Sequence, residues 1–193
     1  MDIKPRQLEI IEATSKILTT SGINGMTIKN LAKEMNFSES AIYRHFSSKE
    51  EIILAMLNYL AENIDERLSG IQKTVNPEEN FRAMFQEQFR FFSKNSHFVV
   101  AVFSDGLMEE SQRINEVILK LMAVMMKHLM PIITDGQQKK VFNNAIANED
   151  LLHIVMGTFK LQMFKWRLFN FEFDLKESGN KMINSILTLI KTT

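Results

Sequence analysis

The sequence predicts an all-α protein of about nine helices, in which an amino-terminal three-helix unit carrying a helix-turn-helix precedes a larger helical body. Three observations predict it. Apolar residues recur at three- and four-residue spacing through most of the 193 residues, the period of helices with one buried face. Hydrophobic residues make up 45% of the chain, enough for a packed interior. Residues 27–49 read as two short helices joined by a tight turn, followed at once by the capped start of a third. We place the helix-turn-helix domain at 1–50 and a second, larger helical domain at 51–193.

Taken in order, Pro5 suits the first position of a helix, where its missing N–H is not needed. Leu8, Ile11, Ala13, Ile17 and Leu18 then form an apolar stripe to about Thr20, with Gly22 as the C-cap. The second helix, about 27–35, puts Ile28, Leu31, Ala32 and Met35 on one face. Asn36 and Phe37 make the turn, and Ser38 is a candidate N-cap. The third helix, 39 to about 45, turns Ala41, Ile42 and Phe46 to a core and leaves Glu39, Ser40, Tyr43, Arg44 and His45 on a protruding face. Two short helices with such a face describe a helix-turn-helix that offers its second member to DNA.

The string Thr27-Ile-Lys-Asn-Leu-Ala, followed by Ala41-Ile-Tyr-Arg-His-Phe-Ser-Ser-Lys-Glu-Glu-Ile, resembles the DNA-binding region of TetR-type (tetracycline-repressor-like) bacterial regulators. The resemblance covers residues 10–53, about a quarter of the chain. It departs at Asn36-Phe37, where the family usually has Gly and a small aliphatic residue. Asn is the residue next most tolerant of a left-handed turn, so the geometry survives.

Beyond the head, Ser48 and Glu51 form a capping-box pattern at the start of a helix over about 48–68. Residues 69–75 read as a linker. Asn76-Pro77-Glu78-Glu79 restarts a helix with a cap, a first-position proline and an acidic first turn. It carries Phe81, Met84, Phe85, Phe89, Phe91 and Phe92 and ends near Asn95. Residues 98–103, valine-rich enough for a strand, are read as a short buried helix because helices flank them. Ser104-Asp-Gly106 interrupts it, with Asp105 a turn residue before it is a catalytic acid. A long helix over 111–130 is expected to stop at Pro131, with a loop over 134–138. The helix over 149–169 is apolar nearly all round and must be covered on several sides. Asp174 caps the last helix, which carries Met182, Ile183, Ile186, Leu187 and Ile190.

Lysines and arginines total 23 and so do aspartates and glutamates, so the formal net charge is zero. That argues against a sequence-blind nucleic-acid coat, not against a specific reader with a local positive patch. Residues 1–50 hold seven basic and six acidic side chains. One copy therefore binds DNA weakly, and pairing two copies doubles the contacts. No apolar run approaches the ~18 residues that span a bilayer. No basic-then-apolar leader opens the chain. A cytoplasmic protein with no membrane partner is expected. The absence of cysteine excludes disulfides and thiolate metal sites. Glycine-rich phosphate loops, paired-histidine metal patterns and a nucleophile elbow are absent from the sequence, so no enzyme, metal or cofactor is expected.

The resemblance implies phosphate contacts from Thr27, Tyr43, His45 and Lys49, which position the protein without reading sequence. Thr27 is equally a plain N-cap, and the two roles are compatible. On spacing alone Lys49 is a solvated surface lysine. The recognition helix presents Ser38, Glu39, Ser40 and Ala41 to the major groove. There Ser40 bonds either base edge, Ala41 touches a thymine methyl, and Glu39 accepts from cytosine or simply stabilises its helix. Lys29 donates to guanine or a phosphate, and Arg44 faces solvent or a phosphate.

The resemblance also implies a small molecule entering the body and changing the separation of the heads, and a four-helix bundle made by the last two helices with their copies. The expected partners are thus a double-stranded DNA operator, a second copy of the chain and a small hydrophobic effector. Such a dimer spaces two recognition helices about one DNA turn, ~34 Å, apart. Thirteen of 15 phenylalanines and ten of 13 methionines follow residue 50, a composition that can enclose an adaptable apolar cavity. Phe85, Phe89, Phe103, Met122, Met126, Phe159 and Met163 are its candidate lining, with plain core packing the alternative for each. The sequence reading is a homodimeric repressor released by an apolar or amphipathic effector. Its alternative is a helical protein-interaction module with secondary DNA tethering.

Overall fold

The computed structural model describes residues 3–103 and 105–192. Among them ten helices occur: α1 Pro5–Gly25, α2 Ile28–Glu34, α3 Glu39–Tyr43, α4 Lys49–Ser69, α5 Pro77–Lys94, α6 His97–Phe103, α7 Asp105–Met108, α8 Gln112–Gln138, α9 Asn148–Leu168 and α10 Leu175–Ile190. The only extended pairing there is a single bridge between Phe142 and Lys191. The expected interruption after α6 includes Ser104, which lies outside the described residues; the four-residue α7 follows it.

Two compact units form. The first comprises residues 1–63 and 97–122, the second 64–96 and 123–193. In the first, α1 packs on α2, α6 and α7, and α2 on α3. Ile10, Ile11, Leu31 and Ile42 are fully buried there. In the second, α10 packs on α5 and α9. Its centre is aromatic: Phe85 and Phe159 rings lie 5.5 Å apart and Phe89 and Phe159 5.6 Å, spacings at which tilted rings attract.

Local capping explains many of the boundaries. Thr27, Ser38, Ser48, Asn76 and Asp174 each accept a backbone N–H from the first turn of the helix that follows. The capping box at Ser48 is only half used. Ser48 Oγ takes the Glu51 N–H at 3.2 Å, while the Glu51 carboxylate accepts from Arg113 instead. Gly22 stops the regular turn of α1 with φ 63°, as its C-cap role requires, and one more turn runs on to Gly25.

Two expectations for the long helix are corrected. Pro131 does not end α8; the helix continues to Gln138 through the stretch expected to be a loop. Proline removes one N–H, so only the Lys127 carbonyl loses its partner. Leu129 and Ile133, fully buried on either side, hold the backbone in line. Gly136 then lies against Phe142, where a Cβ would come 2.0 Å from the ring. Secondly, α8 is by length and composition long and apolar enough to cross a membrane. Lys120 and Lys127 break the run without lowering the average much. Leu121, Met125, Leu129 and Ile133, four residues apart, pack inward.

Candidate nucleic-acid interface

The head is built from short-range signals. Thr27 Oγ1 accepts the Asn30 N–H at 3.1 Å, and the Asn30 amide donates back to the Gly25 carbonyl at 2.8 Å. These two bonds fix the entry to α2. Asn36 takes the left-handed conformation, φ 54°, that brings the chain round to α3. The Phe37 ring then lies 5.1 Å under the Arg6 guanidinium, a cation–π contact tying the turn to α1. Ser38 Oγ accepts the Ala41 N–H at 3.2 Å and lies 2.9 Å from Ser40 Oγ.

One residue of α3, Ile42, is fully buried. Thr27, Lys29, Ser38, Glu39, Ser40, Tyr43 and Arg44 are exposed, and Ala41, His45 and Lys49 are half-buried. All nine predicted DNA-facing residues are thus exposed or half-buried on the head, eight of them with polar side chains. Ser40 is already engaged with Ser38, and the Gln7 side chain donates to the His45 carbonyl at 3.4 Å.

Sequence reasoning missed the polar brace behind this face. Lys49 Nζ lies 3.1 Å from Glu110. Arg113 spans Glu50 at 3.0 Å and Glu51 at 2.9 Å, and Ser111 Oγ donates to Glu50 at 2.6 Å. Partners some sixty residues apart leave no local signal.

The seven candidate effector-lining residues are divided between the two units. Phe103 and Met122 belong to the first unit, and Met122 is half-exposed on α8. The other five belong to the second unit. Phe85, Phe89, Phe159 and Met163 are buried there and packed on one another's helices, whereas Met126 is half-buried. The same unit has an open cleft of about 630 Å³ bordered by Arg67, Glu87, Phe89, Arg90, Lys176 and Asn180. Arg67 pairs with Glu87 at 3.3 Å and stacks 3.8 Å over the Phe91 ring. Burial and the neighbouring Arg90 push its guanidinium down to about 10.

Two family models match the chain. Residues 10–56 match the model described as bacterial regulatory proteins, tetR family, and residues 55–190 match the YsiA-like protein, C-terminal region. The chain belongs to the tetR family of bacterial regulatory proteins. This TetR-family protein is a DNA-binding transcriptional regulator. The regulator is 28% identical over 119 residues to the uncharacterised HTH-type transcriptional regulator YerO of Bacillus subtilis (strain 168), a match covering 58% of this chain and 40% of YerO. The chain thus spans about two fifths of that relative's length. It is 18% identical over 189 residues to the fatty acid metabolism regulator protein of the same organism, covering 96% of this chain and 95% of that one. In fold it is similar to the transcriptional regulator FadR of Bacillus subtilis, solved in complex with stearoyl-CoA. There the TM-score is 0.78 at 17% identity, over 97% of this chain and 100% of that one.

Proposed function

We propose that the regulator is a cytoplasmic repressor that binds its operator as a homodimer and is released by an apolar or amphipathic effector. The observation that carries the reading is a seam on α9. Ile154, Leu161, Phe164 and Leu168 are 49%, 64%, 39% and 63% exposed. With the uncrowded Gly157 they follow alternating three- and four-residue steps along one line. Leu151, Leu152, Val155, Phe159, Met163 and Trp166 fill the opposite, buried face. An apolar seam of this period suits a second helix of the same kind, and Gly157 lets two backbones approach closely. On α10, Leu189 is 76% exposed and extends the apolar surface.

In the same reading α3 enters the major groove with Ser38, Glu39, Ser40 and Ala41 facing bases, while Thr27, Tyr43, His45 and Lys49 hold phosphates. Lys29 serves either. The aromatic centre around Phe85, Phe89 and Phe159, with Met163 beside it, receives the effector. The FadR complex makes a long-chain acyl thioester the first compound to try.

Sedimentation of the natural chain and of Leu161→Glu, with anisotropy on the DNA just upstream of the coding region, tests the reading. A dimer that binds this DNA, a Leu161→Glu monomer that binds it at least tenfold more weakly, and release by stearoyl-CoA or a related lipophile are expected. A natural chain that sediments as a monomer, or binding untouched by any lipophile in a broad panel, defeats the dimer or the effector part respectively.

A further inference from the structure

The second unit holds one polar side chain that its packing does not account for. Gln88, on α5, is fully buried. Among the described residues neither its Nε2 nor its Oε1 has a hydrogen-bond partner. Its helix turns the same side to the interior with Phe81, Met84, Phe85 and Phe92, all buried. A leucine or methionine there would satisfy the core. An amide with both ends unpaired lowers stability, because its hydration is lost and nothing replaces it. Such groups are uncommon in folded proteins and each asks for a reason.

Position supplies one. Side chains on a helix lean back over the preceding turn, so the Gln88 amide lies over the turn bearing Met84. Met84 borders a small cavity of about 20 Å³, together with Leu68, Ile132 and His128. The His128 Nε2 faces the Asp65 carboxylate at 2.6 Å, so that ring is already anchored. Ile71, Lys73 and Asn80 complete the lining, and Met84 can swing aside because its side chain is unbranched.

We infer that Gln88 is the polar recognition group of the effector site. The ligand class is an apolar chain bearing one uncharged group that both donates and accepts a hydrogen bond, a carboxamide being the simplest. The donor Nε2 and the acceptor Oε1 are both unpaired, so the complement must offer an acceptor and a donor together. At the Gln88 amide a carboxylate would only accept and leave Oε1 unpaired, and an ammonium would only donate and leave Nε2 unpaired. The inference rests on the effector reading above and adds to it the chemistry of the head.

The test compares the natural regulator with Gln88→Met, which keeps length and flexibility and removes both polar atoms. Gln88→Leu repeats it with a second side chain. The probes are dodecanamide, which donates and accepts, and methyl dodecanoate, which only accepts. Melting and Trp166 fluorescence report binding. Without ligand, Gln88→Met melts higher by roughly 3–8 °C, since an unpaired buried amide has been removed. The natural protein binds dodecanamide at least tenfold more tightly than the ester, and both variants bind the two equally. A variant that melts at or below the natural protein, or a preference for the amide that survives both substitutions, overturns the inference and leaves the effector reading standing. If neither compound shifts melting or fluorescence in any of the three proteins, the role given to Gln88 fails, and the broad lipophile panel decides the effector reading separately.

Discussion

Lys49, in the first turn of α4, and Glu110, just after α7, form an ion pair at 3.1 Å with about a third of each side chain exposed. The lysine expected to hold a DNA phosphate is thus already held by a carboxylate. DNA must outcompete Glu110 for it. Glu110→Gln should therefore strengthen binding to all sequences a few-fold, the scale of a part-exposed pair. Lys49→Ala should reduce the slope of log affinity against log salt by about one. Titrations at three salt concentrations check both, and a Lys49→Ala slope equal to the natural one removes Lys49 from the phosphate contacts.

On the recognition helix, Tyr43 and Glu39 are both exposed, yet they should behave differently. Tyr43→Ala is expected to weaken binding to cognate and scrambled DNA alike. Glu39→Ala should change which bases are preferred, by about 1–3 kcal/mol at one position. Equal losses on both DNAs for both variants would end the division between positioning and reading.

In the body, a Cβ added to Gly179 on α10 would lie 2.4 Å from the Phe89 ring on α5. Phe89 is buried, and its ring packs on Phe159 at 5.6 Å, so moving it disturbs the aromatic centre. Gly179→Ala should cost about 1–3 kcal/mol, lowering the melting temperature by several degrees. Gly157 is the control, because a Cβ there meets nothing within 4 Å. In a Leu161→Glu background, which removes any effect on pairing, Gly157→Ala should raise the melting temperature through helix propensity, worth about 0.5–1 kcal/mol. Opposite signs for the two substitutions are the expected result.

Asp65 gives a pH prediction. Hydrogen bonds from Lys127 and then His128 hold its carboxyl below the ordinary carboxylate value. A lowered folded value means the unfolded chain takes up the proton first as pH falls. The contribution is full above the unfolded value, near pH 4, and disappears as pH drops through the lower folded value. With a third of the side chain exposed, solvent screening keeps it to about 0.5 kcal/mol. Asp65→Asn should melt slightly lower than the natural protein at pH 6, and the gap should close below pH 4. A gap that widens on acidification contradicts the assignment.

The sequence by itself determined the helices, their caps and the head. Thr27, Ser38, Asn76 and Asp174 cap as read, and Asn36 turns left-handed as read. Each of these outcomes is settled within three or four residues, where the side chain and the backbone groups it satisfies are neighbours in sequence. The apolar period likewise fixed the inward residues of α10 and those of α5 apart from Phe91, which is half-buried, and Gln88. Tertiary structure alone decided the rest. It carried α8 through Pro131, because buried leucine and isoleucine contacts outweigh one lost hydrogen bond. It paired Lys49 with Glu110 and Arg113 with Glu50 and Glu51, across about sixty residues. It chose which side of the all-round apolar α9 is covered, sent Met122 outward and sealed Gln88 within. Those outcomes depend on which helix lies against which, and a residue's own neighbours along the chain carry no record of that.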